Sequence, residues 1–213
     1  MSISSLGKHS LIYGLSHVAS RGITFLLLPI YTNIFSPNDY GIISLIYTFI
    51  GFMNVILHYG LDASIIKYYI PANQNKRRSI LTNGYISILI TNCLFVIILI
   101  LIGNKFSNIL FGTKISQFVN MVSYIIFFDV LWSIHVLILR SENKSITFTA
   151  ISFFNVISTF GFNIYFLFVL KLGIYGVLLS NLIVSAFIFV ITFPIIYNRI
   201  SLSTLSLLIW KKL

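Results

Sequence analysis

The sequence predicts an all-α integral membrane protein of six transmembrane helices with both termini in the cytoplasm, and three observations carry that prediction. Apolar residues fill 58% of the 213 positions and charged residues 8%, whereas a soluble domain carries ~25% charged residues. So few charges cannot build a water-facing surface, which excludes soluble globular and disordered classes. The charges are also spaced so that stretches long enough for a bilayer-crossing helix, ~20 residues, lie between them. Finally, the 14 Lys and Arg, apart from Arg21 inside the first span, divide unevenly between the two sides, as the positive-inside rule requires.

The spans follow in order. The first runs over about 10–35 and is interrupted only by Arg21. It is too long for a secretory signal and lacks a small-residue cleavage site after a short apolar core, so it reads as a retained helix. The second, 40–61, fits between Asp39 and Asp62, and the third, 79–102, between Arg78 and Lys105. The fourth, 115–139, is interrupted only by Asp129. The fifth, 146–170, lies between Lys144 and Lys171, and the sixth, 174–197, between Lys171 and Arg199. Residues 198–213 form a cytoplasmic tail whose Trp210-Lys211-Lys212 ending suits the headgroup level. The whole chain, 1–213, is a single six-span unit. Pro71–Arg78 is its longest hydrophilic segment, a basic connector, and Gly103–Lys114 its longest extracytoplasmic loop.

Ten basic residues fall on one side: Lys8, Lys67, Lys76, Arg77, Arg78, Arg140, Lys144, Arg199, Lys211 and Lys212. Lys105, Lys114 and Lys171 fall on the other. That asymmetry places both termini in the cytoplasm. The net charge of +10 is therefore topology and not a nucleic-acid footprint, because the basic residues are scattered between apolar runs. The Asn143-Lys-Ser sequon then lies on the cytoplasmic side as a chance match. The single cysteine, Cys93, excludes an intrachain disulfide or a multi-thiolate metal site.

Polar residues recur at helical spacing inside the spans. Ser10, Gly14, His17, Arg21 and Thr24 share one face of the first. Ser44, Tyr47, Gly51, Asn54, His58 and Asp62 repeat the device on the second, down to its cytoplasmic end. The fourth carries Asp129, Trp132 and Ser133; the fifth Asn155, Thr159 and Asn163; the sixth Asn181, Ser185 and Thr192. Lipid-facing surfaces tolerate no such stripes, so they indicate a bundle around a hydrated cavity. Interhelical hydrogen bonding is the alternative reading of the uncharged members. His17, Thr24, Asn54, His58, Asp62, Asn155 and Thr159 are the cavity-lining candidates.

Arg21 sits ~17 Å into its span at 1.5 Å per residue, near the bilayer midplane. A charge there costs roughly 2.5–3.5 kcal/mol and persists where it meets water, a ligand or a partner. Two readings stand: an ion pair with Asp129 at similar depth, or contact with an anionic ligand. A guanidinium matches phosphate oxygens bidentately, so the ligand reading is a phosphate. Asp129 is then a protonatable coupling group or a counter-ion. His17 and His58 read as packed neutral rings or as groups titrating near neutrality, and His135 points away from the Asp129 face. Pro29 removes a backbone hydrogen bond and bends the first span. Paired carboxylates, a Cys/His cluster, a nucleophile elbow and a P-loop are all missing from the sequence, so an enzyme, a metal and a cofactor are not expected.

Several stretches carry a family resemblance. Tyr13-Gly, Arg21-Gly and Leu28-Pro-Ile-Tyr-Thr lie in the first span, with Ser36-Pro-Asn-Asp-Tyr-Gly at its exit. Tyr59-Gly-Leu-Asp-Ala-Ser-Ile-Ile-Lys-Tyr-Tyr follows the second, Leu139-Arg-Ser-Glu-Asn-Lys-Ser the fourth, and Leu172-Gly-Ile-Tyr-Gly-Val precedes the sixth. In their order and spacing these resemble the oligosaccharide flippases, the Wzx-like branch of the multidrug/oligosaccharidyl-lipid/polysaccharide exporter superfamily. The resemblance implies movement of polyprenyl-pyrophosphate-linked oligosaccharide units across the cytoplasmic (inner) membrane for O-antigen, capsule or exopolysaccharide. It also implies a cationic cavity between two lobes, with Arg21 where a pyrophosphate-binding residue is expected. Such exporters carry twelve to fourteen spans, so six are one lobe of a two-lobed bundle. The expected partners are a lipid-linked anionic glycan, membrane lipids, and a second lobe or a second copy, the chain being a truncated or split half. A membrane-embedded polysaccharide assembly enzyme and an inactive scaffold are the alternatives.

Overall fold

The computed structural model describes residues 25–111 and 113–206, together with Gly14, Val18, Gly22 and Ile23. Among the described residues there are helices and no strands. They are α1 (Phe25–Ile34), α2 (Pro37–His58), α3 (Leu61–Tyr69), α4 (Gln74–Phe111), α5 (Thr113–Ser116), α6 (Val119–Ser141), α7 (Ser145–Ile164) and α8 (Gly173–Tyr197). A π-helical turn, Tyr165–Val169, continues α7, and a 3₁₀ turn, Leu202–Thr204, follows α8. Five helical stretches among the described residues are long and apolar enough to cross a membrane: Pro37–His58, Gln74–Gly103, Val119–Ser141, Ser145–Val169 and Gly173–Tyr197. The chain is a multi-pass membrane protein. The expected first span is described mainly over α1, and His17, Arg21 and Thr24 lie outside the described residues.

Local chemistry sets the helix ends. Ser36 caps α2: its Oγ accepts the Asp39 N–H at 3.2 Å and donates to the Asp39 carboxylate at 2.8 Å, with Pro37 at the first position. Pro lacks the N–H that a first turn leaves unpaired, and an acid there meets the positive end of the helix dipole. α2 stops at Tyr59 and Gly60, whose φ angles of 33° and 82° are left-handed. Glycine adopts that region without a Cβ penalty. The expected stripe from Ser44 to Asp62 is therefore cut: Asp62 belongs to the first turn of α3, out of register with His58.

The segment 103–114 was expected to be a loop. Its residues 103–111 and 113–114 are helical instead, in α4, which runs on to Phe111, and in α5. Gly103 is a close-approach residue, since a Cβ there would stand 2.7 Å from Val119 Cγ1 on α6. The connector 71–78 is also shorter than expected, with α4 starting at Gln74. Arg77, in the first turn of α4, donates backwards to the Tyr69 and Ile70 carbonyls at the end of α3, at 3.0 and 2.8 Å.

α6 is the axis of the bundle, packed against α2, α3, α4, α7 and α8. Ile125, Ile126, Val130, Leu131, Ile134 and Ile138 on it are fully enclosed. Leu94, Ile97, Ile98 and Leu101 on α4 and Phe187, Val190 and Ile191 on α8 face outward, as a lipid-contacting surface does. Lipid tails are as apolar as leucine, so close packing and interhelical hydrogen bonds hold the helices to one another. The tail after α8 docks on α4. Ser79 donates to the Thr204 carbonyl at 2.5 Å, and the Ser201 and Ser206 N–H groups reach Thr82 Oγ1 and Asn83 Oδ1 at 3.1 and 3.2 Å.

α1 continues through Pro29, with Asn33 and Thr32 side chains donating to the Pro29 carbonyl at 2.7 and 3.1 Å. The π turn gives way to α8 through Lys171 and Gly173, both at positive φ. Gly176 then lets α8 lie against that turn, since a Cβ there would stand 2.9 Å from Phe166 Cβ.

Candidate functional site

α1, α2, α7 and α8 line a cavity of about 350 Å³ whose wall is mainly apolar, with a few polar side chains set into it. Tyr31, Tyr40 and Tyr47 contribute hydroxyls, and Asn155, Thr159 and Asn181 contribute amides and a further hydroxyl. Ile23, Leu27, Leu28, Val156 and Phe160 fill the remaining wall. These groups converge because Tyr40 and Tyr47 are seven residues apart on α2, two helical turns, and so share a face, while Asn155 and Thr159 are four apart on α7.

Hydrogen bonds hold the wall. Asn163 is fully buried and reaches three elements. Its Oδ1 accepts from the Tyr31 hydroxyl at 2.7 Å, and its Nδ2 donates to Ser180 Oγ at 2.6 Å and to the Thr159 carbonyl at 2.8 Å. Ser180 in turn donates to the Val177 carbonyl at 2.7 Å. Both ends of one amide are thus satisfied, which fixes α1 and α8 against α7. Thr159 Oγ1 lies 3.3 Å from Asn155 Oδ1 on the same face.

Asp129 stands behind the cavity on α6. Its Oδ1 accepts from Ser185 Oγ at 2.6 Å and from Trp132 Nε1 at 3.0 Å. Ser185 Oγ is also 3.2 Å from Oδ1 of the cavity-lining Asn181. A polar relay therefore runs from the cavity through Asn181 and Ser185 to the carboxyl. Among the described residues Asp129 has no cationic partner.

The structure brings together only some of the residues singled out by sequence. Asn155 and Thr159 lie in the cavity wall, with Asp129 two side chains away. Asn54, His58 and Asp62 do not line this cavity. His58 instead bridges α2 to α6: its Nε2 is 2.6 Å from Ser133 Oγ, and its Nδ1 meets the Asn54 carbonyl. A carbonyl only accepts, so Nδ1 carries a proton, while the Ser133 hydroxyl also donates to the Val130 carbonyl at 2.8 Å. Asp62 is half-buried on α3, with no ion pair among the described residues.

Sequence reasoning missed Tyr31, Tyr40, Asn163's bridging part and Glu142. Glu142 caps α6 and gathers the connectors: Arg199 donates to it twice, at 2.8 and 2.7 Å, Lys144 lies at 2.8 Å and the Tyr69 hydroxyl at 2.9 Å. Burial alone would raise its carboxyl pKa, but these donors outweigh burial and hold it at about 2. The same contact raises the pKa of Arg199. An isolated acid beside many cations was the available signal.

An all-helical, multi-pass bundle with a cavity between its helices defines a membrane-embedded helical protein. The family model for polysaccharide biosynthesis proteins matches residues 6–200, and the chain belongs to that family. Comparison with curated protein sequences gives no match. Among solved structures, the outward-facing conformation of a multidrug resistance MATE family transporter of the MOP superfamily is similar, with a TM-score of 0.72 and 14% identity. The match covers 96% of this chain and 47% of that one, so the chain spans about half the length of the structure it resembles.

Proposed function

We propose that the chain is one lobe of a flippase that carries polyprenyl-pyrophosphate-linked oligosaccharide units across the cytoplasmic membrane, with its basic end in the cytoplasm. The cavity between α1, α2, α7 and α8 supports this reading most directly. Its mainly apolar wall carries the hydroxyl and amide side chains of Tyr40, Tyr47, Asn155, Thr159 and Asn181, groups of the kind that pair with sugar hydroxyls and phosphate oxygens. Arg21 contacts the pyrophosphate, and Asp129 acts as counter-ion or coupling group through Ser185 and Asn181. Alternating access needs two bundles about a shared site, so this lobe works against a second one, whether another copy or another segment of polypeptide.

The test is complementation in a cell that lacks its own lipid-linked oligosaccharide flippase, with this lobe supplied in its transport-competent context. Thr159→Trp, which fills the cavity, and Arg21→Ala should each abolish polymer export while the protein still inserts. Export at the wild-type rate by both variants would remove the cavity from the mechanism.

A further inference from the structure

At the basic end of the bundle a second cavity, of about 440 Å³, opens where α3, α4, α6 and α8 terminate. Arg77, Arg78, Lys144 and Arg199 line it, against one carboxylate, Glu142. We propose that this cavity is a binding site for the phosphate of an anionic phospholipid headgroup in the adjacent leaflet. The proposal does not depend on the transport reading.

Three features carry it. The first is convergence. The four cations come from three separate stretches of chain, Arg77 and Arg78 at the start of α4, Lys144 in the α6–α7 connector and Arg199 after α8, so the fold brings the three together.

The second is that the cations are positioned but not neutralised. Arg77 spends its Nε and one Nη on the Tyr69 and Ile70 carbonyls and lies 5.2 Å over the Tyr69 ring, contacts that fix the guanidinium without cancelling its charge. Glu142 is shared between Arg199 and Lys144. It stays ionised with a pKa of about 2, so it offsets one charge of the four at physiological pH. Arg78 is exposed, lines the cavity, and its guanidinium has no protein partner among the described residues. A guanidinium fork left free in a cationic pocket is suited to bidentate contact with phosphate oxygens.

The third is depth. The cavity lies where spanning helices begin and end, at Gln74, Ser141 and Tyr197. That is the level of lipid headgroups, and basic pockets between transmembrane helices recruit anionic lipids there. A dissolved anion would pay the full entropic cost of capture, whereas a lipid is already confined to the surface.

Native mass spectrometry of the full chain, released from detergent with phosphatidylglycerol or phosphatidylcholine, tests this directly. The wild type should retain one phosphatidylglycerol in preference to phosphatidylcholine, and glycerol phosphate in solution should not displace it at equal concentration. Arg78→Ala should weaken retention by about tenfold, roughly one charge-assisted contact, and Arg78→Lys should restore part of it. Arg78 makes no side-chain bond whose loss would unfold the protein, so the variant reads the site alone. Lys67→Ala is the control, since Lys67 is exposed outside the cavity with its ammonium over Tyr68. Equal weakening by Lys67→Ala would reduce the effect to diffuse surface charge and overturn the proposal. Equal retention of phosphatidylcholine, or displacement by glycerol phosphate, would overturn the lipid assignment.

Discussion

Nδ1 of His135 lies 2.8 Å from Thr192 Oγ1, and this contact fixes the tautomer of a fully buried imidazole. Thr192 donates its own hydroxyl proton to the Ile188 carbonyl at 2.7 Å, so its oxygen accepts from Nδ1–H. Nε2 is then an acceptor, matched by the Tyr85 hydroxyl at 3.0 Å. One neutral tautomer satisfies every group and ties α4, α6 and α8 together.

Thr192→Val keeps the shape but leaves Nδ1–H without an acceptor. It should destabilise the bundle by about 1–3 kcal/mol. His135→Ala should cost more, because it leaves the Tyr85 hydroxyl without its acceptor and opens a void. Thermal unfolding of the purified protein in one detergent orders the two; equal midpoints to wild type would show that the bridge contributes nothing.

Glu142 gives the basic end an acid-sensitive tie. A carboxyl whose folded pKa is about 2 instead of the ordinary 4.5 stabilises the native state above the unfolded value and loses that contribution as pH falls through the folded one. Stability should therefore drop between about pH 5 and pH 2 in wild type, with a smaller drop in Glu142→Gln. Because Lys144 is half exposed, water screens part of the interaction, and the loss in Glu142→Gln at neutral pH should be on the order of 1–2 kcal/mol. Unfolding midpoints measured across that pH range decide it.

Gly176 tests the contact between the π turn and α8. Alanine there meets Phe166 Cβ at 2.9 Å and Leu172 Cβ at 3.0 Å, atoms anchored to backbone. Overpacking should cost about 1–3 kcal/mol, against no change for Gly161→Ala, where the added methyl meets nothing within 4 Å. Tryptic susceptibility and melting of the two variants provide the comparison.

Asp129→Asn separates charge from architecture. The amide oxygen still accepts from Ser185 and Trp132, so the fold should persist with a melting shift of less than about 1 kcal/mol equivalent. Under the proposed function, export should fall at least about tenfold, the scale of losing an intramembrane ionisable group. Export at the wild-type rate, with normal insertion, would leave Asp129 a packing residue.

Membrane class, the helical spans at Pro37–His58, Val119–Ser141, Ser145–Val169 and Gly173–Tyr197, and the polar stripes were written in the sequence, because a bilayer imposes a length and forbids charge. Sequence did not reveal which polar residues meet. Asn155, Thr159 and Asn163 look alike as a periodic stripe, yet two line a cavity and the third is sealed between Tyr31 and Ser180. Nor could it separate core from lipid face on α8, whose apolar residues continue around the helix. Hydrocarbon and protein interior are equally apolar, so one-dimensional pattern loses its contrast between inside and outside. Contacts between distant residues, such as Glu142 with Arg199 or His135 with Thr192, were decided by how the helices pack.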